Sequence, residues 1–377
     1  MRAITRALPA LLGAAALVGS AVTAATVTGA TTAPADDGPA VPIVRATPTK
    51  IMPLGDSNTA GGDAPGAAYR VDLYELLKAD GRPIDFVGSV TSGPTTLGDR
   101  NHEGHGGWTI GQIQGSVTGW LNTYTPDVIT LQIGTNDMYD DASAGAAPGK
   151  LSALIDSITT TLPNTKVFVS AIPQLADANH YSRVAAFNYT IPGIVAAKVA
   201  AGKQVSYLDA NSGLFQPFDF VDMWHPNYGA ASKAAVRWYS ALTGVQTTRY
   251  EAEQSANAVI SGAPTKRTQI TSASGGAKIG YIDLPDSFVK FTFQVGTAGT
   301  YRIRARGANG MGTECTHNVS ANGGTAVAMK YPSYGWDLLG TSAVDLDLKV
   351  GTNTVTFGKG ECYTELDAID ISLKPTA

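Results

Sequence analysis

Between Lys50 and Leu242, short apolar runs alternate with stretches whose apolar residues recur at helical spacing, and this alternation limits the chain to very few folds. The runs are Ile51-Met52-Pro53-Leu54, Ile84-Asp85-Phe86-Val87, residues 128–133, residues 167–172 and Val205-Ser206-Tyr207-Leu208. Between them Leu73, Leu76 and Leu77 share a helical face, as do Ile110, Ile113, Val117 and Leu121. The spacing repeats in Leu151, Leu154, Ile155 and Ile158 and in Val184, Phe187, Ile191 and Val195, and a last helix is expected over 227–242. Five strands, each followed by a helix, predict a parallel five-stranded sheet covered on both faces, an α/β domain over residues 50–244. In such sheets ligands bind outside the carboxyl ends of the strands, so chemistry is sought there.

The rhythm breaks on either side. Arg2 and Arg6 precede an uncharged stretch, apolar from Leu11 to Val22, and Val22-Thr23-Ala24 offers small residues for cleavage. Residues 1–24 are therefore expected to be a secretory signal and 25–49 a flexible Thr/Ala/Pro leader. After Thr243-Gly244 no long helix is expected. Short alternating segments at 289–295, 301–306, 317–321, 344–348, 354–357 and 366–371, separated by turns such as Asn322-Gly323, predict an all-β sandwich over 249–377. Its two cysteines, Cys315 and Cys362, each follow a glutamate near a strand end, and in an exported chain a disulfide between them is expected. With 27 Lys+Arg against 31 Asp+Glu, the chain carries no basic footprint for nucleic acid or anionic membranes. No membrane partner is expected once the signal is removed, and a monomer is expected.

Four pieces of the first domain supply complementary chemistry. The first strand ends in Gly55-Asp56-Ser57, the third in Gly134-Thr135-Asn136-Asp137, and Gly104-His105-Gly106-Gly107-Trp108 precedes the second helix. Asp222-Met223-Trp224-His225 stands before a helix opened by Pro226. Singly, each reads equally well as turn chemistry. Together they offer Ser57 as nucleophile, His225 as its base and Asp222 to orient the imidazole. The N–H groups of Ser57 and Gly107 and the Asn136 amide can form an oxyanion hole. Competing arrangements are weaker. His102 and His105 are spaced i, i+3 in a glycine-rich loop, whereas a zinc-protease helix needs i, i+4. No Gly-x-Ser-x-Gly elbow occurs. His180 lacks an acid three residues before it and reads as a surface histidine. Arg70 either touches substrate or packs its stem on the first helix.

These blocks, in this order, resemble those of the SGNH (GDSL-like) hydrolases. The longer runs Ile51-Met52-Pro53-Leu54-Gly55-Asp56-Ser57, Asp85-Phe86-Val87-Gly88-Ser89 and Gly107-Trp108-Thr109-Ile110 resemble carbohydrate esterase family 3, the acetyl xylan esterases. The resemblance spans nearly all of the first domain. It implies a three-layer, flavodoxin-like α/β/α fold, and Ser57, Gly107, Asn136 and His225 as the four family positions, with Asp222 as the acid. It also implies a small acyl group and no cofactor for catalysis. Asn58 departs from the leucine of the broad GDSL signature, which counts against a general lipase.

In the second domain Glu251, Glu253 and Asp367 project from terminal strands, as ligands of a structural calcium or as exposed edge carboxylates. Tyr331, Tyr334 and Trp336 lie in a Pro/Gly-containing loop, where they either stack on sugars or pack. The frame Tyr250-Glu251-Ala252-Glu253, Gly280-Tyr281-Ile282-Asp283, Ala298-Gly299-Thr300-Tyr301 and Gly351-Thr352-Asn353-Thr354-Val355 resembles carbohydrate-binding module family 35. That resemblance implies a jelly-roll sandwich, the calcium and a glycan ligand. The expected function is a secreted serine esterase that removes acetyl groups from a polysaccharide such as xylan. The alternatives are an SGNH lipase or aryl esterase, or a glycan-binding protein without activity.

Overall fold

The computed structural model describes residues 47–61, 68–174 and 178–374. The expected signal and most of the expected leader lie outside the described residues. In chain order the first domain runs β1 (Thr49–Gly55), α1 (Ser57–Ala60), α2 (Tyr69–Ala79), β2 (Ile84–Phe86), β3 (Val90–Thr91), β4 (Asn101–Gly104), α3 (Ile110–Tyr124) and β5 (Val128–Gln132). It continues with α4 (Asp141–Thr161), β6 (Lys166–Ser170), α5 (Ala178–Ala200), β7 (Val205–Leu208) and α6 (Tyr228–Thr243). The sheet order is β3-β4-β1-β5-β6-β7, with β2 pairing the first half of β1. All pairings are parallel except β3 with β4.

The five expected strands are present, but the expected direct passage from β2 to α3 is corrected: the β3–β4 hairpin intervenes. Residues 102–104, expected as glycine-rich loop, are strand. Their polar side chains are buried and paired within the domain, so they show no apolar alternation. His102 contacts Ser92 at 2.7 Å, and Glu103 accepts from the Ser89 amide at 3.0 Å. β1 begins at Thr49. On one face of the sheet the buried residues of α3, α4 and α5 pack, among them Ile113, Leu154 and Phe187. On the other, Leu73, Leu77, Trp238 and Leu242 come from α2 and α6. Truncating one such side chain to alanine costs about 2–5 kcal/mol.

The second domain comprises β8 (Thr248–Glu251), β9 (Ala258–Ser261), β10 (Thr265–Thr268), β11 (Ala277–Gly280), β12 (Phe288–Val295) and β13 (Gly299–Asn309). Then follow β14 (Cys315–Ala321), β15 (Val327–Tyr331), β16 (Gly335–Leu348), β17 (Gly351–Lys359) and β18 (Glu365–Leu373). Two antiparallel sheets result: β10-β11-β18-β13-β16, with β8 on β18, and β15-β14-β17-β12-β9. Their apolar faces enclose Phe291, Ile303, Phe357 and Ile369. Cys315 and Cys362 form the expected disulfide.

Along β13 the side chains alternate, as a strand requires. Ile303 and Ala305 enter the sandwich core, while Arg304 and Arg306 turn toward the first domain. Arg304 binds the Asp80 carboxylate through two nitrogens at 2.9 and 2.8 Å, and Arg306 reaches Asp72 of α2 at 2.6 Å. Both arginines are 1% exposed. Buried charges persist only when paired and hydrogen-bonded, so this border is a fixed packing surface.

Candidate active site

The sheet order reverses between β1 and β5: from β1 the chain proceeds outward to β2 and β4, then crosses back to β5. Crevices at such reversals hold ligands. β1 delivers Ser57 there. At Gly55 a Cβ would lie 2.0 Å from the Gln132 carbonyl oxygen, so only glycine lets β1, β5 and α1 meet this closely. Asp56 caps α1, its Oδ1 accepting from the Asn58 amide at 2.9 Å, which leaves Ser57 as the first helical residue. Burial pushes the Asp56 carboxyl up to about 6.

The sequence leaves the conformation of the histidine loop open; the structure closes it. Asp222 Oδ1 accepts from the amides of Trp224 (2.7 Å) and His225 (2.8 Å), while Oδ2 faces His225 Nδ1 at 2.8 Å. Although partial burial opposes it, the hydrogen bonds from the imidazole and these two amides hold the Asp222 carboxyl below its ordinary range. His225 Nε2 stands 2.8 Å from Ser57 Oγ. With Nδ1–H donated to the carboxylate, Nε2 is left to accept the serine proton. Asp222, His225 and Ser57 thus form one continuous hydrogen-bonded chain, across 168 residues of sequence between the last two.

The other two pieces converge on the same edge. Asn136 lies in a 3₁₀ turn, Thr135–Tyr139, and one of its amide hydrogens goes to the Trp108 carbonyl at 2.9 Å. Its second amide hydrogen is therefore available for another acceptor. Gly107 has φ +78°, a conformation that favours glycine, in the loop that joins β4 to α3. Asp137 ties the pieces together: it accepts from the Ile110 amide at 2.9 Å at the start of α3 and pairs with Lys150 at 3.3 Å. Asn58 donates to Thr135 Oγ1 at 3.2 Å, linking α1 to the same turn. The sequence reading passed over one further connection. The Tyr139 and Trp224 rings stack with centroids 4.8 Å apart, joining the Asn136 turn to the histidine loop. Arg70, for which the sequence offers either contact with substrate or packing on the first helix, is fully buried and donates to the Thr59, Ala60 and Ser92 carbonyls at 3.1, 2.8 and 2.8 Å. Arg70 therefore holds α1 from behind, so of the two roles the sequence offers, contact with substrate is withdrawn and the structural one stands.

His102 is also set aside as a ligand or base: burial pushes its imidazole down to about 3, and its two nitrogens bond Ser92 and the Gly104 amide. His180 packs edge-on against Trp224, with centroids 4.8 Å apart.

In the second domain, Glu251 and Asp367 share the Ser274 hydroxyl, at 2.5 and 3.2 Å, and Glu253 Oε2 is buried without a hydrogen-bond partner. Burial raises the Glu251 and Glu253 carboxyls, the latter to about 7. Among the described residues no group of three or more His, Cys, Asp or Glu is already arranged to hold a metal ion. Tyr331 is corrected. It is 1% exposed, belongs to β15 and the sandwich core, and lies 3.3 Å from His317 Nδ1, so no sugar can stack on it. Tyr334 packs over Gly340, whereas Trp336 is 37% exposed.

A three-layer α/β/α domain with a serine at the carboxyl end of β1 and an acid–histidine pair before α6 is an SGNH hydrolase domain. Residues 54–232 match the GDSL-like Lipase/Acylhydrolase family, and the chain carries a GDSL-like esterase domain. A multidomain esterase of Ruminococcus flavefaciens is 32% identical over 221 residues, covering 52% of this chain and 28% of its own length. The chain therefore spans under a third of that relative. Among solved structures, a Clostridium thermocellum family 3 carbohydrate esterase aligns with 39% identity over 52% of this chain and 95% of its own, at TM-score 0.47. A family 35 carbohydrate binding module, also from Clostridium thermocellum, aligns at 18% identity over 34% of this chain and 99% of its own, at TM-score 0.30.

Proposed function

We propose that this esterase is a secreted enzyme that removes acetyl groups from a plant polysaccharide such as acetylated xylan. The observation that carries the reading is the continuous chain from Asp222 through His225 to Ser57 Oγ, with both contacts at 2.8 Å. Ser57 Oγ attacks the ester carbonyl as its proton passes to His225 Nε2. The Ser57 and Gly107 amides and the free amide hydrogen of Asn136 receive the oxyanion. The imidazolium of His225 then gives its proton to the departing sugar oxygen as the ester bond breaks; a water that passes a proton back to His225 attacks the acyl-enzyme, releasing acetate and restoring the Ser57 hydroxyl. Asp222 holds the imidazole in the tautomer this sequence requires. No cofactor takes part in these steps.

The esterase naming of a relative supports the reaction class, and the N-terminal signal-like stretch supports export. Among the described residues no helix is long and apolar enough to cross a membrane. The second domain binds glycan in this reading, with Trp336 the remaining exposed aromatic of the three singled out, and raises local substrate concentration for a monomeric enzyme. A structural calcium held by Glu251, Glu253 and Asp367 belongs to the same proposal. The buried, unpartnered Glu253 oxygen beside Glu251 and Asp367 supports a hard cation, which would share Asp367 with the Arg306 guanidinium already paired to it. Calcium should raise the melting temperature and a chelator lower it; equal melting in both would remove the ion from the account.

The test of substrate is acetate release from acetylated xylan beside acetylated mannan, acetylated pectin and a long-chain aryl ester. Release from the xylan well above the long-chain ester is expected. Preference for the long-chain ester would assign the enzyme to the lipase class.

A further inference from the structure

The loop that carries His225 does not stand on the esterase domain alone. Pro226 and Asn227 follow His225, and Asn227 caps α6, its Oδ1 accepting from the Ala230 amide at 2.9 Å. The first turn of a helix leaves amides without intrahelical partners. One of these, the Gly229 N–H, donates to the Thr271 carbonyl of the second domain at 2.9 Å. The approach is so close that a Cβ on Gly229 would lie 2.0 Å from the Ala273 carbonyl oxygen. Gly229 has ordinary helical geometry, so its lack of a side chain answers to this contact and not to its backbone angles.

The receiving turn is itself rigid. It is closed by backbone bonds from Ile270 to Gly276 (3.1 Å) and Ala273 to Ile270 (3.0 Å), and Asp367 accepts from the Ser274 amide at 2.9 Å. Arg306 joins turn and esterase in one group: it donates to the Ser272 carbonyl at 2.7 Å, to Asp367 at 2.6 Å and to Asp72 of α2 at 2.6 Å. Its guanidinium also covers the Tyr228 ring, 4.7 Å from the centroid, and the Tyr228 hydroxyl donates to the Leu339 carbonyl at 3.0 Å. On the other side of the loop, the Phe218 ring lies against Gly276 of the same turn, and Asn227 Nδ2 donates to the Phe218 carbonyl at 3.0 Å.

We infer that the β-sandwich is a working part of the esterase: its 270–276 turn, anchored by Arg306, positions the start of α6 and through it the imidazole of His225. Gly229, Arg306 and Tyr228 are positioning residues, because none touches the reacting atoms. The inference rests on the proposed roles of Ser57 and His225 and adds that the second domain sets how fast the first one works, independently of any glycan it binds.

The experiment uses the full chain. Gly229→Ala forces the α6 start and the turn apart, and Arg306→Lys keeps the charge but loses the fork that grips three partners at once. For each folded variant, kcat and KM on p-nitrophenyl acetate are measured, together with the rate at which a fluorophosphonate labels Ser57, a reaction that needs the base but no glycan. A displacement near 1 Å is expected to lower kcat and the labelling rate in parallel by about 10- to 100-fold, with KM little changed. Arg306→Lys decides the matter if Gly229→Ala does not fold. Folded variants with unchanged kcat and unchanged labelling would overturn the inference. Failure of the parent chain to label at Ser57 would instead overturn the proposed function on which it rests.

Discussion

Replacing Asp222 by asparagine should damage this enzyme more than replacing it by alanine, and the reason lies in which oxygen does what. Oδ1 is held by two backbone donors, the Trp224 and His225 amides, while Oδ2 alone faces the imidazole. In Asp222→Asn the single amide oxygen stays with the two backbone donors, so the amide nitrogen faces Nδ1. That favours the tautomer with a proton on Nε2, which cannot accept the serine proton. Asp222→Ala removes the orienting carboxylate but leaves the ring free to take the working tautomer with water at Nδ1. The Asp222 side chain is 48% exposed, so its charge is screened and its bond to the ring contributes about 1.5 kcal/mol, the low end for a charged partner. Alanine should therefore lower kcat about 10-fold. In the asparagine variant, turning the amide round also sacrifices two backbone bonds of about 1 kcal/mol each, which brings the loss to a few hundred-fold. Both stay well short of the roughly 10⁴-fold loss seen when a buried triad carboxylate becomes an amide. Initial rates of acetate release from p-nitrophenyl acetate across the three proteins, all folded, decide the order. An asparagine variant as active as the alanine variant, or more so, would refute the reasoning.

Three further outcomes follow from the same geometry. Asn136→Ala should lower kcat about 10²–10³-fold with little change in KM, because its free amide hydrogen acts on the oxyanion; steady-state kinetics check this. His317 is buried between the Tyr331 hydroxyl and Thr364, and burial pushes its imidazole down to about 3 from an ordinary 6.5. Below pH 6.5 the unfolded chain therefore binds a proton that the native state refuses, so stability falls as pH falls toward 3. His317→Gln should flatten the slope of melting temperature against pH in that window by up to about one proton, or about 1.4 kcal/mol per pH unit. Reducing the Cys315–Cys362 disulfide, whose residues are separated by 47 positions, should cost up to about 4 kcal/mol, read as a lower denaturant midpoint in reductant.

The core of the first domain was legible because its strands are apolar on both faces and its helices keep their spacing. The four pieces of the site were legible because each sits at the end of such an element. Where burial is polar, that signal vanishes: β4 escaped because His102 and Glu103 find partners within the domain instead of contributing apolar alternation. Tyr331 was placed in a loop because Pro332 and Gly335 follow it, yet Met329 and Tyr331 alternate into the core with exposed neighbours, as a strand should. The border between the domains left a trace that was not used. Arg302, Arg304 and Arg306 share one face of β13, which reads as a solvated face until Asp72 and Asp80, more than 200 residues earlier, are seen to meet it. A charge pattern identifies such a face but not what covers it.

The central claim is that Ser57 is the nucleophile of the site it shares with His225 and Asn136. The most direct measurement compares acetate release by the parent chain and by Ser57→Ala at matched melting temperature. The account predicts a loss of about 10⁴-fold or more, down to the rate that binding and the oxyanion donors sustain alone. A folded Ser57→Ala protein that releases acetate at the parent rate would contradict it.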